Sequence, residues 1–249
     1  MLESRNFSKK KHRGTCAGSG LLSGDMKIVA AALASASLVS GAPTIPTVTI
    51  APGVELPMAG LGTWQYNDSV AGAATLAALK MGYTHIDTAL GYNNQVGVGK
   101  ALEASGRARA SYFITSKIPG GLNTSATNAA LELSLQQLGL TYVDLMLIHF
   151  PATWGGDGGA AARVEEWKAM EAFQKAGKAK AIGVSHYCKH HLEDILAIAT
   201  VKPAVNQVQY HVRCVYVERE NCVPSHDTHA LHLFSSGWHG HGGRQRYRR

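Results

Sequence analysis

The chain has 249 residues, 45% of them hydrophobic and 16% charged, which suits one large domain or two small ones. That composition excludes wholesale disorder and collagen-like repeats, and the low charged fraction favours an enzyme-like core over a coiled coil. The net charge of +7 sits in two tails: residues 1–43 carry six basic and two acidic groups and residues 213–249 carry six and three, leaving twelve of each in residues 44–212. The body is neutral, so no polyanion-binding face is encoded there and no nucleic-acid partner is expected.

The segment Met26–Ala42 has one basic residue, Lys27, then an apolar run and small residues, the pattern of a secretory signal peptide. Val39 and Gly41 suit the two recognised positions before a cleavage site after Gly41. The run is too short and too rich in Ala and Ser to give a stable membrane span. Met1–Asp25, with Lys9, Lys10, Lys11 and Arg13, is a long leader for such a peptide. Translation from Met26, an organelle-targeting presequence and a disordered tail with a fortuitous Ala-rich patch all stay open. Cys16, Cys188, Cys214 and Cys222 form no C-x-x-C pair, and reduced thiols are expected.

From Pro46 onward strands and helices alternate. Thr47–Ile50 and Val54–Leu56, separated by Pro52-Gly53, predict a β-hairpin. Strands are expected at Met58–Gly62, Thr84–Asp87, Tyr112–Lys117, Val143–His149, Ala179–Ser185 and Ala204–Val208. Helices are expected between them at Ser69–Lys80, Asn94–Ser105, Ser125–Leu138, Ala162–Lys175 and Lys189–Thr200. The Val143–His149 run is apolar almost throughout, as a parallel strand covered on both faces should be. No G-x-G-x-x-G follows the first strand, which favours a barrel over a doubly wound sheet. The expected fold class is α/β: a (β/α)8 TIM-barrel type, incomplete at about six βα units, with an N-terminal β-hairpin.

Barrel chemistry sits at the C-terminal ends of the strands. Asp87, Lys117 and His149 fall at strand ends, and Tyr92 lies in the loop after Asp87. Each alone could be a helix cap, a packed ring, a solvated amine or a satisfied core histidine. Together, a carboxylate, a phenol, an amine and an imidazole on adjacent strand ends make a proton-transfer site.

The surrounding segments resemble the aldo-keto reductase family. Gly82–Ala89 with Gln95 and Gly99 fits the family's signature around its Asp and Tyr, with Thr84 where Arg is usual. Leu138–Asp144 running on to Ile148-His149 fits its second signature, and Ile114–Pro119 its Lys motif. Gly60–Trp64, Gly183–Ser185 and Asn206-Gln207 complete six ordered motifs over roughly residues 46–211. The resemblance implies hydride transfer from NADPH to the carbonyl carbon of a small aldehyde or ketone. It implies Tyr92 as general acid, helped by a lowered pKa from Lys117, with Asp87 holding Lys117 and His149 orienting the substrate oxygen. It implies cofactor contacts at Gly62, Thr63, Asp87, Ser185, His186 and Gln207, with Ser185 and Gln207 on the carboxamide. Trp64 and Phe150 become pocket walls. His186 stands where the family usually has Asn, and Phe150 where it often has Trp. No metal is implied. Cytoplasmic location follows from the family, and a secretory or organellar one from a functional Met26–Gly41 signal.

Three segments are therefore expected: a leader over 1–43, disordered or removed; the reductase barrel over 44–211; and an unrelated His/Arg-rich tail over 212–249, disordered. The tail reads as a frameshifted or mis-spliced segment. His226, His229 and His232 have a spacing that could serve a metal, but no second half to such a site. By the resemblance, two further strands, the loop for the NADPH 2′-phosphate and the aromatic that stacks on nicotinamide would be missing. Weak or absent turnover is the resulting expectation. The alternative function is a non-catalytic barrel fragment acting as a binding or regulatory remnant. A Schiff-base aldolase using Lys117 is weaker, because it leaves Tyr92, Ser185 and Gln207 without a task.

Overall fold

The computed structural model describes residues 45–153 and 159–208, and the backbone of 229–231. The leader, the Met26–Gly41 segment and the His226, His229 and His232 side chains lie outside the described residues.

Strands β1 (Thr47–Ala51) and β2 (Val54–Pro57) form the expected antiparallel hairpin. Its turn needs Gly53, whose φ of 73° is costly for any residue with a Cβ. Thr47 and Thr49 donate to the Glu55 carboxylate at 3.0 and 2.5 Å, tying the two strands on their exposed side. The other side is apolar: Ile50, Val54 and Leu56 pack on Phe113, Leu145, Leu147, Ala181 and Val205. The hairpin thus plugs the end of the sheet interior opposite the candidate site.

The main sheet holds β3 (Gly60–Gly62), β4 (His85–Asp87), β5 (Phe113–Ile118), β6 (Val143–Ile148), β7 (Ala179–Ser185) and β8 (Val205–Gln207). They are parallel and lie in chain order. Parallel neighbours need crossover helices, and α1 (Asp68–Lys80), α2 (Gln95–Ala104), α3 (Thr124–Leu138), α4 (Gly159–Lys175) and α5 (Lys189–Leu196) supply them. The sequence pattern places no element after Val208. The structure adds β9 (His229–Leu231), parallel to β8.

Residue alternation sorts the strands. In β6, Leu145 and Leu147 pack inward with the hairpin cluster, while Met146 and Ile148 join the cluster beneath the helices. Asp144 is the polar exception at the hairpin end. It accepts the Ile114 amide at 2.9 Å and pairs with Arg109 at 2.6 Å and Lys180 at 2.7 Å.

Local chemistry sets the helix ends. Asn67 and Asn123 cap α1 and α3, each accepting an amide hydrogen at 2.9 Å, from Val70 and Ala126. Gly139 ends α3 at φ 64°. Gly97 lets α1 and α2 meet backbone to backbone, because a Cβ there would lie 1.9 Å from the Asp68 carbonyl oxygen. Observed bounds differ from expectation by one to three residues at most ends, and α5 stops four residues early at Leu196. Lys117 lies inside β5 rather than at its end, and His149 falls one residue past β6. Among the described residues no helix is long and apolar enough to cross a membrane.

Candidate active site

Strand alternation brings the chemistry together. Asp87 and Lys117 both point inward, one on β4 and one on the adjacent β5, at the end away from the hairpin. Lys117 is 1% exposed and Asp87 4%. Burying an ammonium is costly unless each of its three hydrogens finds an acceptor. All three do. Nζ donates to Asp87 Oδ1 at 2.5 Å, to the Thr88 carbonyl at 3.1 Å and to Tyr92 Oη at 3.3 Å. Burial works against the Lys117 charge. The Asp87 carboxylate and the Tyr92 oxygen outweigh it, and the ammonium is held above its ordinary pKa.

Tyr92 accepts from Lys117, so its own hydroxyl hydrogen remains available for another acceptor. Its pKa is raised, not lowered as expected. Burial pushes it up first, and Lys117 only partly offsets that while Asp87 adds to it.

His149 stands edge-on to Tyr92, ring centroids 5.4 Å apart. It stacks on Phe150 at 4.6 Å, and Phe150 stacks on His186 at 4.8 Å with planes 9° apart. Four rings therefore run in a ladder from Tyr92 to His186. Burial first and then Lys117 keep these imidazoles uncharged: His149, lowered further by His186, falls to about 3, and His186 falls to about 4. His186 sits at φ 58°, a left-handed backbone that its amide supports by donating to the Gln207 carbonyl at 3.0 Å.

Gln207 is tied to the Lys–Asp pair, with Nε2 donating to Asp87 Oδ2 at 2.9 Å. Ser185 is fully buried and donates its hydroxyl to the Gln207 carbonyl at 2.9 Å. Ser185 therefore steadies Gln207, and Gln207 keeps its side-chain Oε1 as an acceptor. An uncharged His186 ring offers one donor and one acceptor. This set fits a primary carboxamide, which needs acceptors for its NH2 and a donor for its carbonyl.

Gly62 pairs with Asp87 across β3 and β4, and the buried Thr63 donates both its amide and its hydroxyl to the Asp87 carbonyl, at 2.9 and 3.2 Å. Trp64 lies just beyond, 44% exposed, with no ring contact among the described residues. The sequence reading missed Asn94. Fully buried, it donates to the carbonyls of Thr63 and Tyr66 at 2.8 and 2.9 Å and accepts from Thr88 at 3.1 Å. It thus cross-ties the loops after β3 and β4, where the sequence suggested only a helix start. Cys188, expected as a reduced thiol, is disulfide-bonded.

A phenol, an ammonium, a carboxylate and an imidazole meet at the strand ends of a parallel α/β sheet of the barrel class, where such groups are chemically able to pass a proton. The model of the Aldo/keto reductase family matches residues 58–228, and the chain belongs to this family. The glyoxal reductase of Bacillus subtilis (strain 168) is 44% identical over 181 residues, covering 71% of this chain and 62% of that protein. Among solved structures, an aldo/keto reductase from Brucella melitensis superposes with a TM-score of 0.63 at 40% identity, over 68% of this chain and 64% of the other. A Bombyx mori aldo-keto reductase in complex with NADP gives 0.59 at 29% identity, over 67% and 59%. The chain spans about 60% of the length of the curated relatives it matches. Its fold is part of the family's barrel, as expected: six parallel strands from β3 to β8 lie in unbroken chain order as an incomplete (β/α)8 barrel, with β9 beside β8.

Proposed function

We propose that this chain carries the site of a reductase that converts an aldehyde or ketone to an alcohol with NADPH. The observation that carries the reading is the Lys117 ammonium, buried and bonded at once to Asp87 and to the oxygen of Tyr92. A bound nicotinamide supplies the hydride to the carbonyl carbon. Tyr92 gives its proton to the carbonyl oxygen as that oxygen gains charge. The phenolate left behind rests against the Lys117 ammonium, so the charge is stabilised where it forms. Asp87 keeps Lys117 in place and protonated. An uncharged His149 donates an N–H to the same substrate oxygen.

Gln207 and His186 would hold the carboxamide, with Ser185 bracing Gln207, while Gly62, Thr63 and Asp87 border the cofactor. Trp64 and Phe150 are the proposed walls for the substrate. A lysine held protonated is a poor amine nucleophile, which argues against the Schiff-base reading. The Bacillus subtilis relative is a glyoxal reductase, so glyoxal is the first probe. NADP bound to the Bombyx neighbour supports a nicotinamide cofactor.

The test is a nucleotide-fluorescence titration of the full chain with NADPH, followed by turnover on glyoxal. Saturable micromolar binding with glyoxal-dependent NADPH oxidation supports the proposal. Saturable binding without turnover on glyoxal or other small carbonyls favours the binding-remnant reading. A folded chain that binds no nucleotide overturns both.

A further inference from the structure

Glu166 lies on α4, the second of two consecutive acids, Glu165 and Glu166. It is fully buried. Its Oε1 accepts the Leu122 amide at 2.5 Å, and the Gly121 amide also favours the carboxylate. Leu122 belongs to the loop that leaves β5, the strand of Lys117. That loop lies hard against the segment leaving β6. A Cβ on Gly120 would sit 1.8 Å from the Phe150 carbonyl oxygen, and one on Gly121 would sit 2.5 Å from the Thr153 amide. Phe150 is the middle ring between His149 and His186.

We propose that Glu166 is a positioning residue for the substrate pocket: it clamps the β5–α3 loop, and that loop seats Phe150. The proposal rests on the reductase reading only for the pocket's purpose. The clamp stands on its own geometry, because nothing else among the described residues accepts the Leu122 amide.

Among the described residues the carboxylate's other oxygen, Oε2, is buried without a hydrogen-bond partner, and so is the Tyr187 hydroxyl. Among the described residues, Arg163 and Tyr187 are the titratable groups that face Glu166. Arg163 lies on its own helix, bonded to Asp194 of α5 at 2.7 Å, and Tyr187 follows β7. Burial raises Glu166 to about 7, against the pull of the Leu122 and Gly121 amides and of Arg163. The clamp therefore changes charge near neutrality while keeping its acceptor oxygen.

Two variants separate acceptor from charge. Glu166→Gln keeps an oxygen for Leu122 and removes the proton equilibrium. Glu166→Ala removes the oxygen. The primary measurement is amide hydrogen exchange of the full chain at pH 6 and pH 8, read over residues 119–123 and 149–153. The proposal expects both segments to exchange at least tenfold faster in Glu166→Ala and to stay protected in Glu166→Gln. Gly120→Ala, which pushes the two segments apart without touching Glu166, should loosen 149–153 alike and guards against a folding failure of Glu166→Ala. Unchanged protection in a folded Glu166→Ala, or loosening of 119–123 that leaves 149–153 protected in both variants, overturns the proposal.

The activity readout is separate. KM for glyoxal should rise about fivefold or more in Glu166→Ala with kcat within about twofold of wild type, and Glu166→Gln should restore it. A fall in kcat at constant KM would contradict the assignment. Absence of wild-type turnover would count against the reductase reading, while the exchange result would still decide the clamp.

Discussion

Gln207 Nε2 donates to Asp87 Oδ2 at 2.9 Å while Lys117 holds Oδ1 of the same carboxylate at 2.5 Å. A residue assigned by resemblance to the cofactor is thus wired to the proposed proton-donating group through one carboxylate. Gln207→Ala should weaken NADPH binding by about tenfold, the scale of one lost hydrogen bond of about 1.4 kcal/mol. It should also lower kcat, because Asp87 loses a partner. A variant with unaltered nucleotide affinity in a fluorescence titration would remove Gln207 from the proposed cofactor set.

The Lys117–Asp87 pair makes a stability prediction. Lys117→Met strands a buried carboxylate and should cost about 3–5 kcal/mol, the usual effect of removing one partner of a buried pair. Adding Asp87→Asn should recover a large part of that loss, since no charge then remains. Urea unfolding followed by circular dichroism checks both. Additive losses in the double variant would contradict the coupling.

Tyr92 is raised above its ordinary pKa by burial, so it stays protonated through the neutral and mildly alkaline range. If it is the proton donor, kcat with a non-ionising carbonyl substrate should show no fall between pH 6 and pH 9. A basic limb with a midpoint near pH 8 would mean that another group gives the proton.

The histidines govern the acid side. His149 and His186 have folded pKa values of about 3 and 4, below the ordinary 6.5. Their contribution to stability is complete above pH 6.5 and is lost as pH falls from there toward 4, because the unfolded chain takes up protons that the folded one refuses. The urea midpoint should drop between pH 7 and pH 5, and drop less in His149→Gln/His186→Asn. Equal pH dependence in both proteins would contradict the assignment.

Much of the barrel was legible because its signals are local. β6 is an apolar run broken only by Asp144, Asn67 and Asn123 precede their helices, and Gly139 closes one. The Asp87, Tyr92, Lys117 and His149 set was legible through motif spacing. Asn94 and Glu166 were not, because their roles depend on partners 28 to 44 residues away in sequence. The direction of the Tyr92 shift was misjudged for a related reason. Local chemistry names Lys117 as its neighbour but cannot weigh that charge against burial. β9 escaped notice because a three-residue strand in a polar, His-rich stretch has no periodicity to detect.

The most direct test of the account is Tyr92→Phe in the full chain, with NADPH affinity and glyoxal turnover measured on the same preparation. The substitution removes one oxygen and leaves the ring against His149. The account predicts that kcat falls at least a hundredfold, the scale of a lost general acid, while the NADPH Kd stays within about twofold. Wild-type turnover that survives the loss of the hydroxyl would contradict it.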